Sequence, residues 1–413
     1  MATELCETPC RYPRACDAGE IRHCDVRRWS SMLKFSSPSA AAYASMMHDI
    51  TIDARWLVGG IGTYTRHLLH GLRANGNGFQ VHAITRYRHK RELEQSCERV
   101  TIVDLPIYTV REQWAIPQAA AGCDLLHVPH YNAPFLQRSP LVVTLHDIIH
   151  ITDTDYRSSF KSRVYARPVL NLVTRKACHI ITDSEFSKAQ IVEHLGVPAS
   201  KVTRIYCGVN GSFQVVDRRE AFEKVSAKLR VVRPYLLYVG SLKPHKNVST
   251  LLKAFALLGK RQRIPHDLLI VGDDAQQKRV LLEEASKLGI SGRTHMVSAV
   301  TQDLLPFVYA AADVLVMPSR IEGFGLPVLE AMACGTPVVS SHAASLPEVG
   351  ADAVLYFDPA SAEELADRME QVLSSTELQQ DLRKRGLERA AAFTWDESAR
   401  KHVEVYRQVL EAS

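Results

Sequence analysis

Residues Arg320-Ile-Glu-Gly-Phe-Gly-Leu-Pro-Val-Leu-Glu-Ala-Met-Ala-Cys-Gly335 decide the fold. Just before them, Val314-Leu-Val-Met-Pro-Ser319 reads as a buried apolar strand that Pro318 stops. Gly323 and Gly325 let the backbone turn sharply and approach a ligand without side-chain obstruction. Pro327 suits the first position of a helix and Gly335 the position just past its end. The spacing therefore predicts a short helix from about Pro327 to Cys334. Its N-terminus faces the glycine loop, where free amides and the positive end of the helix dipole favour an anion. Glu322 in the loop and Glu330 inside the first turns of the helix bracket that place. Carboxylates hold hydroxyls while amides hold a phosphate, so the stretch reads as a site for a nucleotide-sugar.

Outward from this stretch, strands and helices alternate in two successive sets. In the second half, Tyr235–Gly240, Asp267–Gly272, Thr294–Val297 and Pro337–Ser341 read as strands, with helices through Leu251–Leu258 and Leu304–Ala312. Ser361-Ala-Glu-Glu364 and Thr394-Trp-Asp-Glu397 read as capping boxes, and Ala399, Val403, Tyr406 and Leu410 share one face of the last helix. In the first half, His48–Asp53 is a strand, Gly59-Gly-Ile-Gly62 a loop, and Thr63–Leu72 a helix. A nicotinamide-binding fold begins in the same way. However, the next strand, Gln80–Thr85, runs into Arg86-Tyr-Arg-His-Lys-Arg91 and not into the acid that would hold a ribose of NAD. Asp124–Pro129, Leu141–Asp147, His179–Asp183 and Val202–Tyr206 complete the first set. Ligands gather at the carboxyl ends of such strands, which places His130, Tyr131, Asn132, His146 and Asp147 near a cleft. Asp183 or Ser184 is expected to cap the helix that Ser184-Glu-Phe-Ser-Lys188 opens.

Glu322-Gly-Phe-Gly-Leu-Pro-Val-Leu-Glu330, followed by Ala-Met-Ala-Cys-Gly-Thr-Pro-Val-Val, resembles the E-x7-E signature of the retaining GT-B glycosyltransferases of group 1. The likeness covers most of the chain from Met46 onward. It implies an α/β architecture of two doubly wound, Rossmann-like domains facing a cleft. The expected order is an acceptor-side domain over 46–213, a linker over 214–233, a nucleotide-sugar domain over 234–393, and a helix over 394–413 that crosses back. It further implies that Lys246 neutralises the donor's diphosphate and that His146 touches the transferred sugar or the forming bond. Gly60, Ile61 and Gly62 would face the diphosphate and the acceptor, and Ser241 and Val297 would lie along the donor. Glu330 would hold the ribose. Glu322, with the backbone around Gly323, Phe324, Gly325 and Leu326, would hold the sugar. Many members carry an arginine beside that lysine or next to the preceding glycine. Ser241 and His245 stand here instead, which leaves a second cationic contact to Lys243 or Arg320.

Composition bounds the rest. The chain has 413 residues, 46% of them hydrophobic and 23% charged, enough for two ordinary domains. A net charge of +5 without a dense basic run argues against nucleic acid as a partner. No apolar run is long enough to span a membrane. Residues 1–45 lack periodic apolar spacing and read as a disordered extension or a start placed too far upstream, although Cys6, Cys10, Cys16 and Cys24 cluster there. Their spacing fits no zinc knuckle. Cys97, Cys123, Cys178, Cys207 and Cys334 read as reduced core residues of a cytosolic protein. Arg157, Lys161, Arg163, Arg167 and Arg175 alternate with apolar residues on a helix. That pattern suits either a peripheral membrane contact or a solvated face over a packed one. Asp153-Thr-Asp155 reads as a cap for that helix and not as a metal ligand pair.

The expected activity is metal-independent transfer of a hexose, mannose from GDP-mannose being favoured, to a glycan or lipid-linked acceptor in surface-polysaccharide synthesis. No cofactor beyond the nucleoside-diphosphate sugar is expected. An epimerase, a phosphorylase or a non-catalytic nucleotide-sugar binder on the same architecture are the competing readings.

Overall fold

In the computed structural model, residues 47–74, 78–153, 160–261 and 264–413 are described, and residues 47–413 pack as one unit. Two all-parallel sheets organise it. The first has seven strands in the order β3-β2-β1-β4-β5-β6-β7. They are β1 (His48–Asp53), β2 (Phe79–Thr85), β3 (Arg99–Ile102), β4 (Leu125–Val128), β5 (Leu141–Thr144), β6 (His179–Thr182) and β7 (Val202–Arg204). The second has six in the order β10-β9-β8-β11-β12-β13. They are β8 (Tyr235–Val239), β9 (Asp267–Val271), β10 (Thr294–Val297), β11 (Val314–Met317), β12 (Val338–Ser341) and β13 (Leu355–Phe357). Central strands covered on both faces are largely apolar, and β4, β9 and β11 are buried at every position, His127 and Asp267 being the polar exceptions. The order reverses between β1 and β4 and again between β8 and β11, and such reversals open the crevices that ligands occupy. This is the two-lobed GT-B arrangement that the resemblance implied. Strands β3 and β13 were not foreseen. β3 is an edge strand whose four positions are half-buried or exposed, so it lacks an alternating signature.

The glycines of the first lobe depart from expectation. They do not form a loop; they are the first turn of α1 (Gly59–Ala74). A Cβ on Gly62 would stand 2.4 Å from the Leu57 carbonyl carbon, so only glycine lets the helix begin this close to the end of the preceding strand. Later elements used below are α2 (Glu185–Leu195), α3 (Arg218–Leu229), α4 (Leu305–Ala311), α5 (Leu326–Ala333), α6 (Leu346–Gly350) and α7 (Trp395–Glu411). Ser184 caps α2, accepting from the Ser187 amide. α3 packs on α4 of the second lobe. Ser361 and Thr394 also cap their helices, but the reciprocal half of each box goes elsewhere. Glu364 accepts from the Asp358 amide, and Glu397 pairs with Arg400.

α7 lies against α1 in the first lobe. A one-way chain of hydrogen bonds runs through that contact. The His402 Nδ1 faces the Ser398 carbonyl at 2.7 Å, which can only accept, so Nε2 is unprotonated and takes the Tyr64 hydroxyl at 2.5 Å. Thr144 then donates to Tyr64 (2.9 Å) and accepts from His127 Nε2 (2.8 Å), while His127 Nδ1 accepts from Tyr406 (2.7 Å). Burial holds His127 well below its ordinary pKa and His402 at about 4, so both rings stay neutral and the chain is satisfied.

Where α7 begins, a Cβ on Gly208 would stand 2.2 Å from the Trp395 nitrogen. Backbone cannot yield as a side-chain tip can. Gly208→Ala is therefore expected to cost on the order of 3 kcal/mol, read as a lowered midpoint in urea or thermal unfolding; an unchanged midpoint would contradict the packing described.

Among the described residues no helix is long and apolar enough to cross a membrane. The helix Phe160–Lys176 is present, with Leu170 and Val173 buried and Arg167 and Arg175 exposed. Arg157 and Asp155, and the side chains of Lys161 and Arg163, lie outside the described residues, as do residues 1–45. Cys97, Cys123, Cys207 and Cys334 are buried free thiols, but Cys178 is exposed, because it stands in the turn just before β6.

Candidate functional site

The second lobe builds one wall from the carboxyl ends of β8 and β11. After β8, the chain passes Ser241 and forms a single tight turn at Pro244–Lys246. Asn247 ends that turn at φ +59°, a conformation asparagine tolerates better than most residues. Its side-chain amide donates to the Pro318 and Pro359 carbonyls, at 3.0 and 2.8 Å, which fixes the turn on the end of β11. Lys246 is thereby aimed at the loop after β11. Its Nζ lies 2.6 Å from Glu322 Oε2, and Ser319 donates to the other carboxylate oxygen at 3.2 Å. The cation assigned to the diphosphate and the carboxylate assigned to the sugar are therefore each other's partner. A diphosphate arriving at Lys246 would free an oxygen of Glu322 to accept from a hydroxyl.

Gly325, at φ +116°, caps α5 and delivers its N-terminus to the cleft. The helix begins at Leu326, one residue before the expected Pro327. The Phe324 side chain is turned away, buried against Tyr206 and Phe393, so this residue offers only its backbone to the cleft. Ser345 holds the loop from behind, its hydroxyl within reach of the Glu322 and Phe324 carbonyls at 3.0 and 2.8 Å. Glu330 accepts from the Tyr309 hydroxyl at 2.7 Å. Burial pushes its carboxyl up to about 7, with Tyr309 pulling it back. Ser241 lies just past β8 and Val297 closes β10, so both stand at the carboxyl end of the parallel sheet.

The first lobe supplies the opposite wall. Gly60 comes so close to the second lobe that a Cβ there would be 3.7 Å from Leu326. Gly59, Thr63, Asn210, Leu326, Glu330 and Trp395 are among the residues lining a cavity of about 580 Å³ between the lobes, within the range of small-molecule and cofactor sites. His146 follows β5, and its Nδ1 lies 2.6 Å from Asp183 Oδ2. Burial opposes the charged imidazole, but Asp183 outweighs it, and the pKa is raised above the ordinary histidine value. His146 meets the glutamate loop directly. A Cβ on Gly323 would stand 2.9 Å from the His146 carbonyl oxygen, so Gly323 is required for the lobes to close this far. His245 supplies no cation. It is buried, and burial with the neighbouring Lys246, Lys243 and Arg320 holds it down to about 3. Arg320 leans on the turn, donating to the Pro244 carbonyl at 3.2 Å.

Two groups in the first lobe bring His130, Tyr131 and Asn132, expected near the cleft, together with residues that carried no sequence signal. Arg55 grips Asp53 with two bonds of 2.8 Å and reaches Glu112 at 3.1 Å, and Asn132 donates to Glu112. Beside this buried cluster, Trp56, Tyr108, His130 and Tyr131 pack ring to ring. Trp56 follows β1, and His130 and Tyr131 follow β4, beside the strand switch, while Tyr108 comes from the segment after β3. Flat faces of this kind suit the apolar face of a sugar ring.

Residues 220–389 match the family described as Glycosyl transferases group 1, and residues 58–213 match Glycosyltransferase Family 4. The chain is 31% identical over 298 residues to O-antigen chain mannosyltransferase B of Escherichia coli, covering 72% of this chain and 77% of that protein. It is 25% identical over 355 residues to the serotype-specific mannosyltransferase WbdA of Escherichia coli, covering 81% of this chain but only 42% of that longer relative. Among solved structures, sucrose-phosphate synthase of Thermosynechococcus elongatus superposes with a TM-score of 0.72 at 25% identity, over 89% of this chain and 100% of that one. Anabaena Alr3699/HepE, solved with UDP and glucose, shares the fold with a TM-score of 0.73 at 21% identity, over 87% of this chain and 100% of that one.

Proposed function

Since the chain belongs to the glycosyl transferases group 1 family, we propose that it is a retaining, metal-independent transferase for mannose. The donor would be GDP-mannose and the acceptor a hydroxyl of a glycan or lipid-linked saccharide in surface-polysaccharide assembly. The observation that carries this reading is the Lys246–Glu322 pair, at the head of the loop that runs into α5, whose Leu326 and Glu330 line the interlobe cavity together with the first turn of α1. Mannose is favoured because both relatives described above are named mannosyltransferases.

In this reading Glu330 holds the ribose hydroxyls, and Lys246 with the N-terminus of α5 takes the diphosphate. The bond from the sugar's anomeric carbon to the phosphate oxygen breaks, and a bond to the acceptor oxygen forms on the same face. The acceptor's proton passes to the departing phosphate oxygen. No protein nucleophile is needed, which suits two carboxylates that are already held by Lys246 and Tyr309. The protein positions the reactants and stabilises charge growing on the diphosphate. A lipid-linked acceptor would bring the enzyme to the inner face of the cell membrane.

Calorimetry with GDP, UDP and dTDP, followed by transfer from the matching sugar donor to a mannoside, tests the reading. GDP is expected to bind, and the anomeric configuration of the product, read by NMR, is expected to match that of the donor. Preferential binding of UDP would overturn the donor, an inverted product the stereochemistry, and interconversion of donors without transfer the transferase itself.

A further inference from the structure

The first turn of α2 lies where the two lobes touch, outside the cavity that would hold the donor. Ser184, its cap, donates across the cleft to the Gly323 carbonyl at 2.6 Å. The Ser187 hydroxyl lies 3.2 Å from that same carbonyl and 3.0 Å from the carbonyl of His146. Two serines of the first lobe thus converge on the residue next to Glu322, and one of them also touches the backbone of His146.

The amides that open a helix have no carbonyl of their own helix to bind. In α2 those of Glu185 and Phe186 are taken from the other lobe. The Glu185 amide lies 2.8 and 3.0 Å from the two oxygens of Glu348, and the Phe186 amide 3.4 Å from one of them. Tyr206, just after β7, donates to the same carboxylate at 2.8 Å. Glu348 sits on α6, whose backbone is gripped in turn by Arg389 through the Glu348 and Val349 carbonyls, at 2.7 and 3.0 Å. Three residues before Glu348 is Ser345, the hydroxyl that supports the Glu322–Phe324 loop from behind. One short helix of the second lobe therefore holds the glutamate loop through Ser345 at its N-cap and the first lobe through Glu348.

We propose that Glu348 is a positioning residue. By capping α2 across the cleft it sets His146 in register with the Lys246–Glu322 pair, so that closing the lobes and assembling the reacting groups are one event. It touches neither donor nor acceptor and acts through α2, Gly323 and His146. The proposal rests on the transferase reading above, and it differs from that reading in where the effect falls. In that reading the nucleotide is held by Glu330, Lys246 and the N-terminus of α5, all in the second lobe, whereas the register between lobes governs turnover.

The test compares Glu348→Ala, Glu348→Gln and Tyr206→Phe in the full chain, with kcat, KM and nucleotide affinity measured for each. Glu348→Ala is expected to lower kcat on the order of 100-fold, the scale of a small misplacement of reacting groups, while nucleotide affinity stays within about twofold. Glu348→Gln keeps an oxygen that accepts the Glu185 amide and is expected to recover most of the loss. Tyr206→Phe, which removes a single bond at unchanged shape, is expected to lower kcat by about fivefold. Unchanged kcat in Glu348→Ala, a parallel fall in nucleotide affinity, or no recovery in Glu348→Gln would overturn the proposal. X-ray scattering with saturating nucleotide separates this from failure of the transferase reading, because it needs no turnover. Glu348→Ala is expected to broaden the interlobe distance distribution relative to wild type, and identical distributions would overturn the proposal. A wild-type chain that closes but transfers no sugar would overturn the reading beneath it.

Discussion

Lys246→Met is expected to lower kcat for sugar transfer on the order of 10²- to 10³-fold, the loss seen when a preorganised group that stabilises developing charge is removed. The departing diphosphate gains negative charge as the sugar leaves, and Lys246 is fixed by the Pro244–Asn247 turn before any ligand arrives. No reorganisation is then required at the moment of reaction. Methionine keeps the length and apolar stem of the side chain while removing its charge. Two further results follow from the pairing with Glu322, which is itself buried. The single variant leaves that carboxylate without its cation, a change that in buried pairs costs about 3–5 kcal/mol, so the unfolding midpoint should fall. Replacing Glu322 by glutamine in the same chain should restore part of the midpoint without restoring turnover. The two substitutions should also be non-additive in kcat, because each removes the same ion pair. Steady-state kinetics and thermal unfolding of the two single variants and the double variant decide the matter. Full turnover in Lys246→Met would remove this lysine from the chemistry.

Nucleotide affinity is expected to rise about tenfold between pH 6 and pH 8, because one pH unit below a pKa leaves roughly a tenth of the group ionised. The group is Glu330, whose carboxyl burial pushes up to about 7. The ionised form presents two accepting oxygens to ribose hydroxyls, whereas the neutral form presents a donor on one of them. Stability moves the opposite way. A carboxyl whose folded pKa is raised contributes stability that is fully present below its unfolded value near 4.5 and is lost as pH rises through about 7. The loss is at most on the order of 3 kcal/mol and is reduced because the group borders an open cavity. Glu330→Gln should therefore bind nucleotide weakly at every pH. Its unfolding midpoint should also fall less between pH 5 and pH 8 than that of the wild type. Calorimetry at pH 6, 7 and 8 measures the first effect, and thermal unfolding across the same range the second. An affinity that falls with pH would contradict the assignment of the ribose to Glu330.

Much of the second lobe was legible because its signals are local. An apolar run of strand length, a pair of glycines, a proline at a helix start and a glycine past its end all lie between Val314 and Gly335. The helix they predict differs from α5 by about one residue at each end. Lys246 was singled out through the resemblance alone, and the structure places it in a single turn between Lys243 and Asn247, against Glu322. What escaped was pairing between distant residues. Asp183 orients His146, Tyr309 holds Glu330, and Glu348 caps α2, and nothing in the local pattern around any of these residues names its partner. Only the order of strands brings β5 beside β6 and closes one lobe on the other. The chain from Tyr406 to His402 through His127, Thr144 and Tyr64 was hidden for a further reason. A histidine inside an apolar strand such as Leu125–Val128 carries no sign of the hydroxyls that will satisfy it.

That chain also has a consequence in time. His127 and Tyr406 are 279 residues apart, and at the usual pace of synthesis, about 5–20 residues per second, roughly 15 to 55 s separate their emergence from the ribosome. Through that interval the nascent first lobe can form its sheet, but it holds Tyr64, Thr144 and His127 with no α7 to complete their hydrogen bonds. It presents an open seam of unsatisfied polar groups beside the bare apolar face of α1. Completion waits for the last helix, so a ribosome that stalls late leaves a nearly full-length chain whose earliest-made lobe is still unfinished and prone to stick to its neighbours.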